Sequence, residues 1–193
     1  MEDLEKTLKK MSLGGDFLQK AKLYVSLLKD YTKIHNITAL KNDEEIFQNI
    51  IDSIYPIKYL DFPIKNIADI GSGAGFPGLH LALAMPHIEV NLYEPLLKKS
   101  AFLHLAKTKL DLKNLQVRSM RIEKEKDKSY DLVVSRAVTH TKSLLNLCKN
   151  ISDERTSFLL YKGTSVDEEL DAKLDFKIYK RGNRKYVLIR GKK

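Results

Sequence analysis

The spacing of apolar positions changes character along the chain. Between residues 16 and 34, Phe17, Ala21, Tyr24, Leu28 and Tyr31 recur at intervals of four and three, the period of a helix that buries one stripe. Asp16 stands where a side-chain cap would start it. A second stripe, Ile46, Ile50, Ile54 and Ile57, predicts a helix beginning near Asn42, with Glu45 placed for a capping box and Pro56 imposing a kink or an early end. Residues 36–40 join the two as a short ordered loop. Beyond residue 62 the pattern becomes short apolar runs alternating with helical stretches. Residues 66–68, 89–94, 115–118, 130–135 and 157–161 read as strands, and the fourth is apolar enough to be buried on both faces. Residues 79–85, stopped by Pro86, residues 96–110 and residues 144–147 read as helices. In the second of these, Phe102, Leu103, Leu105 and Ala106 turn inward, while Lys98, Lys99, Lys107 and Lys109 form a solvated face. Residues 176–180 and 186–190 flank Gly182-Asn183, a hairpin turn signal. The expected architecture is α/β: a mostly parallel twisted sheet of about seven strands, closed by an antiparallel C-terminal hairpin, with helices on both faces. Residues 1–62 form a helical cap on an α/β body of residues 63–193. No flexible linker divides them, so the chain is one domain. Residues 124–128 read as a mobile charged loop on the surface.

The densest chemical signal is Asp69-Ile70-Gly71-Ser72-Gly73-Ala74-Gly75-Phe76-Pro77-Gly78. A strand runs into it and a helix leaves it. Glycines there let the backbone turn with positive φ and let a ligand lie against bare peptide, while the helix N-terminus points free N–H groups at that ligand. Glu94 ends the next strand, 23 positions after Gly71. A carboxylate at that place suits a ribose diol, because it accepts from two hydroxyl donors. Asp69 suits a ligand bearing positive charge and would repel a pyrophosphate. S-adenosylmethionine, an adenosyl group joined to a sulfonium amino acid, has both features. Ligands in such sheets lie beyond the C-terminal strand ends, which directs attention to Asp69, Glu94, residues 121–123, Ser135-Arg136 and Lys162-Gly163.

The glycine segment closely resembles the cofactor loop of the bacterial 16S ribosomal RNA guanine-N7 methyltransferases. The likeness extends, in order, to Asn36-Ile37-Thr38-Ala39-Leu40, Ile51-Asp52-Ser53, Lys98-Lys99-Ser100-Ala101-Phe102-Leu103, Arg121-Ile122-Glu123, Ser135-Arg136-Ala137 and Tyr161-Lys162-Gly163, covering about residues 30–190. Asn49 stands where that family usually has His. The resemblance implies a Rossmann-like class I methyltransferase fold and S-adenosylmethionine as cofactor. It implies 16S ribosomal RNA of the small subunit as substrate, with Gly71, Phe76, Ile122, Glu123 and Arg136 at the cofactor. Asp69, Gly73, Gly75 and Glu94 join them from the reading of the loop. Ile122 and Phe76 are expected to sandwich the adenine, and Glu123 to lie near its amine.

Composition and charge then narrow the chemistry. Among 193 residues the formal net charge is +9, which favours a polyanion, although lysine far outnumbers arginine and a lysine-rich composition alone would give the same balance. Arg121, Arg136, Lys162 and Arg184 are the candidate RNA contacts. No run of 18 apolar residues is present, so no membrane-spanning helix is expected. The N-terminus shows no secretory pattern, and the single cysteine, Cys148, excludes an internal disulfide and fits a reducing cytoplasm. Cys148 sits in a predicted helix core rather than as a nucleophile. Scattered histidines offer no metal cage. No triad or carboxylate pair is evident, as expected if the acceptor is guanine N7, an unprotonated lone pair that needs no general base. The expected enzyme works by alignment, as a cytoplasmic monomer. The residues alone leave open a methyltransferase for another RNA, a small molecule or a protein. They also leave open a non-catalytic RNA-binding assembly factor.

Overall fold

A computed structural model describes residues 2–126, 128–136, 140–163 and 174–192, with side chains from residue 5 onward; Asp127 and Ala137, parts of two segments singled out above, lie outside the described residues. Strands β1 (Asn66–Ile70), β2 (Glu89–Tyr93), β3 (Leu115–Arg118), β4 (Leu132–Arg136), β5 (Ser157–Lys162), β6 (Phe176–Arg181) and β7 (Arg184–Ile189) form one seven-stranded sheet in the order β3-β2-β1-β4-β5-β7-β6. The pairs β1–β2, β1–β4, β2–β3 and β4–β5 are parallel, while β7 runs antiparallel to both β5 and β6. The strand order reverses beside β1, which opens a crevice at the sheet's C-terminal edge. Register makes that edge straight: Ile70 pairs with Tyr93 on one side and with Ser135 on the other. The residues that follow, Gly71, Glu94 and Arg136, therefore emerge side by side.

Alternation of side chains along the strands divides the interior into two cores. Ile67, Leu132, Val134, Leu159 and Leu188 face one; Ala68, Ile70, Val133, Leu160 and Val187 face the other. The first core receives α2 (Gly15–His35), α3 (Asp43–Ile54), α4 (Gly78–Ala84) and α5 (Leu97–Lys109) through Leu28, Ile50, Leu79 and Phe102. The second receives α6 (Thr141–Leu147) through Leu144. Ile46, Ile50 and Ile54 of the predicted stripe are fully buried, each worth roughly 1.5–3 kcal/mol of transfer free energy. Pro56 ends α3 as expected, and the chain continues as a single 3-10 turn, Tyr55–Tyr59.

Two local expectations are corrected. Asp16 does not cap α2. The helix begins at Gly15 after an uncapped Gly14, which places Asp16 inside the first turn, paired with Lys20 at 3.0 Å. The capping box of α3 forms with a shift. Asn42 accepts from the Glu45 N–H, but the Glu45 carboxylate reaches back to the Lys41 N–H. In the charged surface loop after β3, Glu125 accepts from Tyr93 and Lys128 pairs with Glu89. A further helix, α1 (Glu2–Lys10), was not anticipated; it seats Leu8 in the first core.

Candidate active site

The glycine loop bridges β1 and α4. Gly71, Gly73 and Gly75 all take positive φ, at 69°, 59° and 107°. At Gly73 a side chain would have room, meeting only the Gly71 carbonyl at 3.9 Å; glycine is required there by its left-handed backbone. At Gly78 the reason is space, because a Cβ would lie 2.4 Å from Leu92 and 2.6 Å from Asp69. The loop is held from below by the Gly71 N–H donating to the Tyr93 carbonyl at 2.9 Å, and from the cap by the Tyr24 hydroxyl donating to the Ala74 carbonyl at 2.7 Å.

Two carboxylates serve this loop in different ways. Glu94 lies across its mouth. One of its oxygens accepts from the Gly73 N–H at 2.8 Å and the other from the Leu96 N–H at 2.9 Å. Each oxygen retains lone-pair capacity toward the cleft. Asp69 is wholly buried beneath the loop, where one oxygen accepts from the Gly78 N–H at 3.0 Å and the other has no hydrogen-bond partner. Burial pushes its carboxyl up to about 7, against the pull of the Gly78 N–H. Asp69 thus braces the start of α4 and does not line the cleft.

Above the loop lies an open cleft of about 490 Å³, within the range of small-molecule sites. Its walls are Gly71, Gly73 and Phe76 of the loop, Glu94 to Leu96 after β2, Lys99 of α5, residues 37–39 of the cap, and Arg136 at the end of β4. The guanidinium of Arg136 sits 4.7 Å from the Phe76 ring centroid and donates to the Asn49 side-chain carbonyl. Burial, with Arg184 nearby, pulls its pKa below the usual arginine value. Arg136 also borders a second, small pocket, where Lys162 and Arg184 gather around Asp52.

The structure thus brings Gly71, Gly73, Phe76, Glu94 and Arg136 to one cleft, with Asp69 and Gly75 underneath. It gathers Lys162 and Arg184 on the far side of Arg136. Arg121, Ile122 and Glu123 are outside the cleft's lining. Ile122 is buried in the second core, whereas Phe76 belongs to the first, stacked on His80 at 4.8 Å. Of the two, Phe76 alone lines the cleft. Arg121 and Glu123 are exposed. Lys99, read as part of a solvated face, lines the cleft. Ile37, Thr38 and Ala39 were not picked out as site residues. Their signal lay in the ordered loop they occupy, where Asn36 closes α2 with a left-handed backbone.

Comparison with known proteins decides the family. The model of the GidB family, described as rRNA small subunit methyltransferase G, matches residues 17–190. The chain belongs to this family. A ribosomal RNA small subunit methyltransferase G of Wolinella succinogenes is 39% identical over 193 residues, covering 99% of this chain and 100% of that protein. The protein of the same name from Aliarcobacter butzleri is 40% identical, covering 91% of each. Among solved structures, a ribosomal protein L11 methylase of Lactobacillus delbrueckii subsp. bulgaricus superposes with a TM-score of 0.58 at 14% identity, covering 80% of this chain and 81% of that one. Precorrin-6y C5,15-methyltransferase of Geobacter metallireducens superposes with a TM-score of 0.57 at 13% identity, covering 80% and 92%. These two show the fold alone, the Rossmann-like class I methyltransferase sheet with its antiparallel hairpin. Membership of the GidB family places the glycine loop and Glu94 within a methyltransferase. Among the described residues no helix is long and apolar enough to cross a membrane, and no cluster of metal-ligating side chains is present.

Proposed function

We propose that this chain binds S-adenosylmethionine in the cleft above the glycine loop and methylates N7 of a guanine in 16S ribosomal RNA, in the cytoplasm. The observation that carries the reading is the open cleft in which bare peptide at Gly73 lies beside the Glu94 carboxylate, in a chain of the GidB family. The residues fit the group. Glu94 can accept from ribose hydroxyls, Phe76, Ile37 and Leu96 offer apolar surface to a purine, and Lys99 and Arg136 can meet the carboxylate of the amino acid. When bound, the group supplies an activated methyl on a sulfonium, which becomes a neutral thioether as the new N–C bond forms.

The protein's own task is alignment and exclusion of water. Guanine N7 has no proton to remove, so this acceptor asks no general base of the cleft. Arg136 stands between the cleft and the pocket of Lys162 and Arg184. Held by Asn49, its donors can address guanine O6 or a neighbouring phosphate. A donor placed on N7 itself would occupy the attacking lone pair, so orientation by Asn49 matters to the reaction. The test is incubation with methyl-labelled cofactor and small subunits from a strain lacking this gene, followed by nucleoside analysis. Label is expected in 7-methylguanine, with KM for the subunit rising steeply with salt; an unlabelled guanine pool would overturn the substrate assignment.

A further inference from the structure

Three arginines at the sheet's C-terminal edge are held by one helix. Asp52 of α3 accepts from Arg181 Nη1 at 2.5 Å and from Arg184 Nε at 2.9 Å. Gln48, one turn earlier, accepts from Arg181 Nη2 at 3.2 Å, and Asn49 accepts from Arg136. Arg181 and Arg184 pair across the hairpin, and Lys185 pairs with Lys162 at the end of β5. The hairpin therefore delivers its cations to the same edge as the cleft. Arg181 also does something that Arg184 does not: it forms one wall of a separate cavity of about 420 Å³ between α1 and the Tyr55–Tyr59 turn.

That cavity has mixed chemistry. Tyr55, Ile57 and Met11 give it apolar and aromatic surface, Lys10, Lys58 and Arg181 give it positive charge, and among the described residues no acid lines it. The Tyr55 ring packs on Tyr186 with centroids 5.8 Å apart, and the Lys58 ammonium lies 3.9 Å from the Tyr55 centroid. An aromatic ring fixed by a second ring, beside exposed cations, is the combination that binds unstacked bases with their phosphates. A pair of contacts links this cavity to the cleft, because Arg181 shares Asp52 with Arg184, which borders the same small pocket as Arg136.

We propose that the cavity between α1, the Tyr55–Tyr59 turn and β6 holds one unpaired nucleotide of the RNA substrate, its base against Tyr55, Met11 and Ile57 and its phosphate against Lys10, Lys58 and Arg181. This rests on the reading of the chain as an RNA methyltransferase and adds a second anchoring point, remote from the methyl group. The second anchor gives the enzyme register, since two points fix the strand along the edge and one does not.

The test uses the full-length protein with unmethylated small subunits. The Lys10→Gln/Lys58→Gln double variant removes exposed charge without touching a core residue. Its KM for the subunit should rise at least about fivefold, the rise in KM should exceed any fall in kcat, and the salt dependence of binding should become shallower by about 0.7 in log–log slope, one single-strand phosphate contact. Affinity for the cofactor should keep its wild-type value, and Lys58→Arg alone should behave like wild type. Tyr55→Leu should raise KM further than Tyr55→Phe, because only the latter keeps a stacking ring. Uridine and guanosine 5′-monophosphates are titrated in parallel. A double variant with wild-type KM and salt slope overturns the proposal. So does a mononucleotide that binds tightly in the cavity while the variants leave subunit binding unchanged, since the ligand is then a free nucleotide. If the wild-type protein itself labels no guanine, the methyltransferase reading fails first and takes this one with it.

Discussion

Asp69 and His80 are both wholly buried against the loop, and burial moves them in opposite senses. The Asp69 carboxyl is raised from 3.8 to about 7. It therefore contributes stability that is complete below pH 3.8 and is lost as pH climbs to 7. His80 is lowered from 6.5 to about 3, by burial first and by repulsion from Arg136 second, with the Gly75 carbonyl opposing weakly. Its contribution is complete above pH 6.5 and is lost as pH falls toward 3. Between pH 3.8 and 6.5 the two slopes are each about 1.4 kcal/mol per pH unit and opposite in sign, so they nearly cancel. His80→Leu, which roughly conserves volume, should expose the Asp69 slope. Urea midpoints measured from pH 4.5 to 7.5 should fall with rising pH in the variant relative to wild type, and parallel curves would refute the pairing. At neutral pH the variant also removes two ring nitrogens that lack well-formed hydrogen bonds, worth on the order of 1 kcal/mol in its favour. None of this was readable from the sequence. An acid before a glycine loop looks the same whether it faces a ligand or braces Gly78, and only the 3.0 Å hydrogen bond that the Gly78 N–H donates to Asp69 shows which.

At the scale of the element, α3 is the clamp that joins cap to hairpin. Its apolar stripe seats it on the sheet, and its other side reaches β5, β6 and β7. The Ser53 carbonyl accepts from Tyr161 at 2.7 Å, while Asp52 holds Arg181, Arg184 and Tyr186. Asp52→Asn keeps the shape and removes the charge that neutralises two guanidiniums. Both arginines retain access to water, so the cost should be about 1–3 kcal/mol rather than that of a fully buried pair. It should appear as a lower urea midpoint and as faster amide exchange across β6 and β7. Exchange confined to its wild-type pattern would show that the hairpin needs no such anchor. The isoleucine stripe of α3 was plain in the sequence because period 3.6 is a local property. The role of Asp52 was not, because its partners lie 129 and 132 positions later in the chain. The same distinction explains Lys99, whose exposure depends on which loop packs opposite it; α1 is a different case, because Leu4, Leu8 and Met11 stand at helical spacing, a local signal that is present but short.

The cleft is assembled from every layer of the molecule: the cap loop at residues 37–39, the β1–α4 glycine loop, the end of β2, the first turn of α5 and the end of β4. A ligand that bridges these parts binds only the folded chain, so its affinity must appear as stability of the whole. At a cofactor concentration of 100 Kd the gain is about 2.7 kcal/mol, which for a chain of this length is a rise in Tm of roughly 5–10 °C. Glu94 is the residue through which this coupling can be tested, because it meets both the loop, at the Gly73 N–H, and the next connection, at the Leu96 N–H. Glu94→Gln preserves size and one acceptor but removes the charge and one of the two accepting oxygens. The cofactor-induced rise in Tm, measured at a fixed ligand concentration against each protein's own unliganded midpoint, should fall to about half, the mark of a roughly tenfold loss of affinity. A variant whose unliganded Tm drops while its cofactor shift is intact would assign Glu94 to bracing the loop alone. A variant with both values unchanged would remove the carboxylate from the site and leave the bare peptide of the glycine loop as the feature that grips the ligand.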